Sequence, residues 1–280
     1  MIKVFHKTLD LQNFLNGKDS IGFVPTMGNL HLGHLSLLSE SLKYCKTNVI
    51  SIFINPTQFS QGEDFNKYPR TLEADIDKIK SLDTSEHEII IYAPDSELEI
   101  YPHGKKVIDA VGPCHILEGA LRPGHFDGMA TVVKRLFEIV PANKAFFGKK
   151  DYQQLTIIKE LVKKYEFNTE IIGLPIIREE SGLAMSSRNG YLSQEEKGEA
   201  LSLRQALLSL KAEIELKKPI ADIQNSIKTI LADKRFNYLE LCHQESLETV
   251  EHYSNKMILL GNFQVKATKI LDNIEIQGME

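Results

Sequence analysis

Ile21, Phe23 and Val24 form a short apolar run, and behind it Leu35, Leu38 and Leu42 recur at helical spacing. A buried strand is therefore expected to enter a turn, Pro25 to His34, that opens a helix with His31 and His34 in its first turn. Val49 to Ile54 is a nearly continuous β-branched run that stops at Asn55-Pro56, the pattern of a strand covered on both faces in a parallel sheet. Thr71 is a plausible N-cap for a helix with Leu72, Ile76, Ile79 and Leu82 on its inner side, and Glu88 to Tyr92 reads as a third strand. Strand, helix, strand, helix, strand predicts a doubly wound parallel α/β sheet. Such sheets bind ligands beyond the carboxyl ends of their strands, the rim where the His31/His34 turn and Asn55–Phe59 are expected to lie.

The second half continues the theme and then changes. After a loop-rich section with Pro102, Gly104, Gly112, Pro113, Gly119, Pro123 and Gly124, a helical pattern runs from Asp127 to Ile139. Lys144–Phe147 and Thr169–Ile172 read as strands on either side of a helix bearing Leu155, Ile158 and Leu161. From Gly173 to Asn189 the pattern is irregular, which sets a domain boundary within 180–188; the division is drawn as 1–184 and 185–280. Beyond it come a long helix over 194–217, a second helix with Pro219 at its N1 position, and alternating strands at 236–241 and within 257–276, a small α+β unit.

Composition narrows the classes. Hydrophobic residues make up 42% and charged residues 25% of 280, ordinary for a soluble globular protein. A net charge of −5 argues against a general nucleic-acid binder. Three scattered cysteines, Cys45, Cys114 and Cys242, fit neither a disulfide framework nor zinc spacing and point to a reducing compartment. The N-terminal stretch has no long apolar region and no run approaches a membrane span, so neither a signal peptide nor membrane attachment is expected and the reading is cytoplasmic.

Four polar clusters carry candidate chemistry. At the His31/His34 turn, helix N-terminal amides and two imidazoles suit a phosphate, and Gly28 and Gly33 permit close backbone approach; the alternative is an ordinary strand–turn–helix with surface histidines. Asn55 to Phe59 contains Gln58, which donates and accepts but does not titrate, or is simply a strand-ending turn. Gly148-Lys149-Lys150-Asp151 offers lysines for phosphates and a carboxylate for a helix cap or a ribose hydroxyl, or is a solvated charge cluster; it is not a Walker A loop. Gln153 and Gln154 point about 100° apart on a helix, so at most one faces the rim. Met185-Ser186-Ser187-Arg188 offers two hydroxyls and a guanidinium for phosphate between Gly182 and Gly190, or is a polar linker.

Together these segments carry a resemblance. His31-Leu32-Gly33-His34 after a strand resembles the His-x-Gly-His signature of the nucleotidyltransferase superfamily that includes class I aminoacyl-tRNA synthetases, and Met185–Arg188 resembles its mobile Met-Ser-Lys-Ser loop, with Arg188 in the lysine position. Pro25–His34, Ser51–Phe59, Tyr68–Thr71, Leu117–Phe126, Phe147–Leu155 and Gly182–Leu192 resemble, in order, the motifs of the pantoate–β-alanine ligases, the pantothenate synthetase family. They run through the first two thirds of the chain; the remainder matches by position and size more than by motif.

The resemblance implies a Rossmann-like sheet with a smaller C-terminal α+β domain: residues 1–184 as the nucleotide- and pantoate-binding catalytic domain, 185–280 as a lid. It implies that pantoate carboxylate attacks the α-phosphate of ATP, giving pantoyl adenylate and pyrophosphate, and that β-alanine then displaces AMP, a step of pantothenate biosynthesis on the coenzyme A pathway. The protein needs no nucleophile of its own; positioning and charge stabilisation suffice. The implied catalytic residues are His34, its helper His31, and Lys150. The implied ATP-binding residues are Met27, Gly28, Asn29, Leu30, His31, Leu32, Gly33, His34, Gly148, Lys149, Lys150, Asp151, Ile177, Met185, Ser186, Ser187 and Arg188. Gln58 and Gln154 are implied to hold pantoate, with Gln58 also near β-alanine. Magnesium would arrive with ATP, no tightly bound organic cofactor is implied, and family members are cytoplasmic and usually homodimers. The chain departs from the family at Lys149, where Glu is usual, and at Ala74, where an acidic residue is frequent; Asp75 stays nearby, and no metal ligand is assigned. The competing reading is another adenylyl- or nucleotidyltransferase of the superfamily; an RNA-binding relative is disfavoured by the net charge, and an inactive regulatory relative by the four intact clusters.

Overall fold

The computed structural model describes residues 2–60, 62–63, 65–82 and 86–278. The chain divides into two units, the first comprising the chain up to Lys149 and Gln153–Pro175, the second Lys150–Tyr152 and the chain from Ile176 onward.

In the first unit, six strands form one sheet: β1 (Ile2–Phe5), β2 (Ile21–Thr26), β3 (Thr47–Ile52), β4 (Glu88–Tyr92), β5 (Lys144–Gly148) and β6 (Glu170–Leu174). Their order is β1-β4-β3-β2-β5-β6, parallel throughout. The chain winds outward from β2 through β3 and β4, then restarts on the other side of β2 with β5 and β6. The switch point lies between β2 and β5, where an open α/β sheet forms its ligand crevice.

The apolar runs are continuous because both faces are covered. Phe23, Val49, Ile90, Tyr92, Ala145 and Phe147 pack with Leu11 and Leu15 of α1 (Thr8–Leu15), with α6 (His125–Ile139) and with Leu155, Ile158 and Leu161 of the helix 152–164, here α7. Their alternate neighbours Val24, Ile50, Ile89, Ile91 and Phe146 pack with Leu35, Leu37 and Leu38 of α2 (Leu32–Tyr44) and Ile79 of α3 (Leu72–Lys80). Two four-residue helices, α4 (Glu97–Ile100) and α5 (Glu118–Leu121), punctuate the loop-rich section.

In the second unit, α8 (Gln194–Glu215) and α9 (Ile220–Ile230) accompany an antiparallel sheet of β7 (Phe236–His243), β8 (Lys256–Val265) and β9 (Thr268–Gln277). Leu203, Leu207, Leu210 and Ile214 of α8 bury their stripe against Leu239, Leu241, Met257, Leu259 and Phe263. Ser193 and Glu196 close a reciprocal capping box at the start of α8.

Elements fall within a few residues of the sequence expectation, with three corrections. Pro219 is the N-cap of α9 and not its N1 residue. Thr71 is the N-cap of α3, but its hydroxyl makes no cap bond and donates to Asp75 Oδ2 at 3.1 Å. β1 and α1 precede the first expected strand; four residues of β1 are too short for periodicity to register.

Candidate active site

The carboxyl end of β2 delivers the turn. Thr26 Oγ1 donates to Ser51 O (2.7 Å) and accepts Gly28 N–H (3.1 Å), so the turn begins anchored to β3. Gly28 (φ +83°) and Asn29 (φ +49°) are both left-handed. A Cβ on Gly28 would lie 2.9 Å from Ile52 Cγ2 and 3.2 Å from Asp75 Oδ2, and one on Gly33 would lie 2.8 Å from the His31 ring. The close approach made by these glycines is to the protein's own side chains.

His31 is the N-cap of α2 and His34 its N3 residue, joined in a capping box. His31 Nδ1 accepts Gly33 N–H at 3.1 Å, and His34 Nδ1 accepts His31 N–H at a longer 3.4 Å. A neutral imidazole whose Nδ1 accepts carries its proton on Nε2, so both rings become Nε2–H donors. Their centroids are 4.1 Å apart. Of the amides that could meet an anion here, those of Asn29, Leu30 and Gly33 are already taken: Asp75 accepts from the first two and His31 from the third. The chemistry toward an anion thereby shifts from backbone to side chains.

Beyond β3, Asn55 (1% exposed) organises the second cluster. Its Oδ1 accepts Tyr101 O–H (2.8 Å) and Thr57 O–H (2.9 Å). Its Nδ2 donates to Gln58 Oε1 (3.2 Å) and to Gly128 O (3.1 Å). With Oε1 held, the Gln58 amide turns its Nε2 toward Met27, 3.1 Å from Sδ, which brings Gln58 beside the histidine turn. Burial pushes the Tyr101 hydroxyl up to about 12, so it remains a donor.

A charged chain supports the same segment. Arg122 binds both Glu63 oxygens (2.6 and 2.7 Å) and donates to His125 Nε2 (2.9 Å); His125 Nδ1–H then donates to Gln58 O (2.6 Å). Since Arg only donates, this is the tautomer opposite to that of His31 and His34. Burial opposes ionisation of Glu63, but the Arg122 hydrogen bonds and charge outweigh it and hold its pKa below the usual carboxylate value. Arg122 and His125 lie in the Leu117–Phe126 motif but carry no role in the sequence reading; the Arg-Pro-Gly-His run is the available signal.

At the end of β5, Gly148 and Lys149 belong to the first unit. Gln153 (5% exposed) turns inward: Nε2 donates to Pro113 O and Ile116 O, and Oε1 accepts Glu118 N–H. Gln154 is half-buried, and no described residue hydrogen-bonds its amide.

The second unit holds Lys150, Asp151, Ile177 and Met185–Arg188. Lys150 pairs with Asp151 at 3.4 Å, and Asn273 Nδ2 donates to Lys150 O. Met185 N–H donates to Ile177 O and Glu179 N–H to Leu183 O, so 177–185 is a hairpin. Arg178 clamps Asp272 bidentately (2.7 and 2.8 Å) and donates to Gly182 O. Ser186 Oγ accepts Arg188 N–H, capping the 3₁₀ turn Ser187–Tyr191, and buried Asn189 donates to Glu179 Oε1 and Ala184 O. Movement of 185–188 apart from its own unit would break the bond from Met185 N–H to Ile177 O. Among the described residues no group of three or more His, Cys, Asp or Glu could hold a metal ion, and no helix is long and apolar enough to cross a membrane. Cys45, Cys114 and Cys242 are free and buried.

Comparison with known proteins agrees with the geometry. A family profile described as Pantoate-beta-alanine ligase matches residues 3–275. The chain is 44% identical over 285 residues to the pantothenate synthetase of Flavobacterium psychrophilum, covering 98% of this chain and 99% of that one. It is 42% identical over 261 residues to that of Shewanella sp. strain ANA-3, covering 91% of each. A crystal structure of pantothenate synthetase from Thermus thermophilus superposes with a TM-score of 0.90 at 36% identity over 99% of this chain and 100% of that one. The pantoate-beta-alanine ligase from Francisella tularensis, complexed with beta-gamma ATP and beta-alanine, superposes with a TM-score of 0.71 at 31% identity over 98% and 97%.

Proposed function

The chain belongs to the pantoate–β-alanine ligase family, and we propose that it joins its two substrates through an acyl adenylate made from ATP. The enzyme is a ligase that condenses pantoate with β-alanine, and ATP is its nucleotide substrate. In the proposed first step a pantoate carboxylate oxygen attacks the α-phosphorus, the bond to the bridging oxygen breaks, and pyrophosphate leaves. In the second the β-alanine amine attacks the acyl carbon, the acyl–O bond breaks with its electron pair going to AMP, and the amine loses a proton.

One observation carries this reading: Gln58, oriented through Oε1 by Asn55, reaches Met27 at the start of the turn that bears the paired Nε2–H donors of His31 and His34. A carboxylic acid held by Gln58 is thus beside groups suited to ATP phosphates. His34 and His31 donate to phosphate oxygens as charge shifts to them, with Lys150 as a further cation. Gln154, its amide open, joins Gln58 on pantoate. The remaining assignments stand as proposals on the same footing: nucleotide for Met27–Leu30, Leu32, Gly33, Gly148, Lys149, Asp151, Ile177 and Met185–Arg188. Magnesium enters as MgATP. Asp75 does not suit it as a ligand, because both its oxygens already accept backbone N–H groups. We also propose a cytoplasmic homodimer, with 1–184 as the catalytic part and 185–280 as the lid part.

The test is an assay with ATP, pantoate and β-alanine. The expected products are AMP and pyrophosphate, with pyrophosphate release dependent on pantoate and ¹⁸O passing from pantoate carboxylate into AMP. ADP with inorganic phosphate would exclude the adenylate. Light scattering tests the dimer, for which a single-chain mass is the opposing result.

A further inference from the structure

We propose that Asp75 is a positioning residue for the ligation: its buried carboxylate fills the anion-binding hollow of the Gly28–Leu30 turn and thereby sets where His31 and His34 stand. Asp75 lies in the first turn of α3 and is fully buried. Its Oδ2 accepts Asn29 N–H (2.8 Å) and Thr71 O–H (3.1 Å), and its Oδ1 accepts Leu30 N–H (2.7 Å). Lys78 Nζ lies 3.7 Å from Oδ1 and donates to Leu30 O at 2.7 Å, so α3 grips the turn through both a carboxylate and an ammonium.

The backbone explains why a carboxylate is needed. Gly28 and Asn29 are both left-handed, and the turn they form presents the successive N–H groups of Asn29 and Leu30 to one carboxylate, as an anion nest does. Asn is among the few non-glycine residues that tolerate this conformation. In a free turn such a nest attracts phosphate. Here it holds a side chain from the same unit, and the next residue but one after Asn29 is His31. Leu30, 2% exposed, seals the junction between nest and helix. Without the carboxylate, two N–H groups face buried space unpaired, and the turn must rearrange to satisfy them. That rearrangement moves the N-cap of α2 and both imidazoles with it. Positioning errors near an ångström cost about 100-fold in rate when reacting groups are otherwise intact.

The inference rests on the assignment of His31 and His34 to ATP phosphates, and its test separates the two. In Asp75→Asn one oxygen becomes an NH₂ that only donates and faces a backbone N–H. The expected result is a fall in kcat for AMP formation of about 100-fold. The KM for β-alanine and the magnesium dependence stay at parental values. In ¹⁵N NMR the His31 and His34 imidazoles leave the Nε2–H pattern for an averaged one. A parental kcat with parental imidazole signals overturns the proposal, as does recovery of activity by excess magnesium, which would mark Asp75 as a metal ligand. If Asp75→Asn does not fold, Thr71→Val and Lys78→Met each loosen one edge of the grip, with an expected loss on the order of tenfold; parental rates and signals in both overturn it. Should His34→Ala keep full activity while Asp75→Asn shifts the imidazole signals, the phosphate assignment falls and the control of the turn by Asp75 is supported.

Discussion

Gly128→Ala isolates what the placement of Gln58 is worth. Gly128 lies in α6 with its backbone against the turn Pro56–Gln58; Asn55 Nδ2 donates to its carbonyl (3.1 Å), and Thr57 Oγ1, whose proton goes to Asn55 Oδ1, lies 3.2 Å from it. A Cβ there would lie 1.9 Å from Thr57 O, 2.3 Å from Thr57 C and 2.7 Å from Gln58 N. Real Cβ contacts essentially never fall under 3.0 Å, so backbone must retreat from backbone by about 1.1 Å. Overpacking of this kind costs about 1–3 kcal/mol. Replacing a helical glycine by alanine returns at most about 0.8–1.0 kcal/mol through helix propensity, and Gly128 is the fourth residue of α6. Net stability should therefore fall by only about 0–2 kcal/mol, readable as a modest loss of Tm. Activity should fall much further, because the retreating turn carries Gln58: a displacement of this size costs about 100-fold, equivalent to about 2.7 kcal/mol of transition-state stabilisation. The assay is the initial rate of pyrophosphate release against pantoate at saturating ATP and β-alanine, beside a thermal melt. The loss should be concentrated in kcat/KM for pantoate. A folded variant whose kcat/KM for pantoate stays near the parental value would refute the reasoning, since it would mean that the position of Gln58 does not matter.

Two further outcomes follow from the same geometry. His34→Ala should lower kcat by about 100- to 1,000-fold, as loss of one preorganised donor does. It should cost only about 0.5–1 kcal/mol of stability, since its capping bond is long; near-parental turnover would remove His34 from the chemistry. Glu63→Gln should destabilise the first unit near neutral pH by about 1–3 kcal/mol through loss of the charge-assisted fork to Arg122. Because the folded-state pKa of Glu63 lies below its ordinary value of 4.5, the pair's contribution is complete above that value and disappears as pH falls through 4.5 and then through the folded pKa. Urea unfolding of both proteins across this range should show the stability gap closing on acidification, and a gap independent of pH would exclude ionisation of Glu63 as its source.

Much of the architecture is legible in local pattern. The apolar runs of β2 to β6 are continuous because a parallel sheet is covered on both faces, and Glu88–Tyr92 falls where the pattern puts it. The spacing of His31 and His34 places them at N-cap and N3, because three residues span the first helical turn. β1 is not legible, since a four-residue edge strand acquires meaning only by pairing with β4, far along the chain.

The site divides along the same line. The sequence by itself determined which side chains follow the strands. Only the tertiary structure decided what holds them there. Asp75 reaches back from α3 to close the His31 turn, Tyr101 and Gly128 hold Asn55, and Arg122 links Glu63 to His125 behind Gln58. Except for Arg122 and His125, three residues apart, these partners lie tens of residues away from the groups they orient. Hydrogen-bond partners at that separation are chosen by packing of whole elements, a property that periodicity along the chain does not carry.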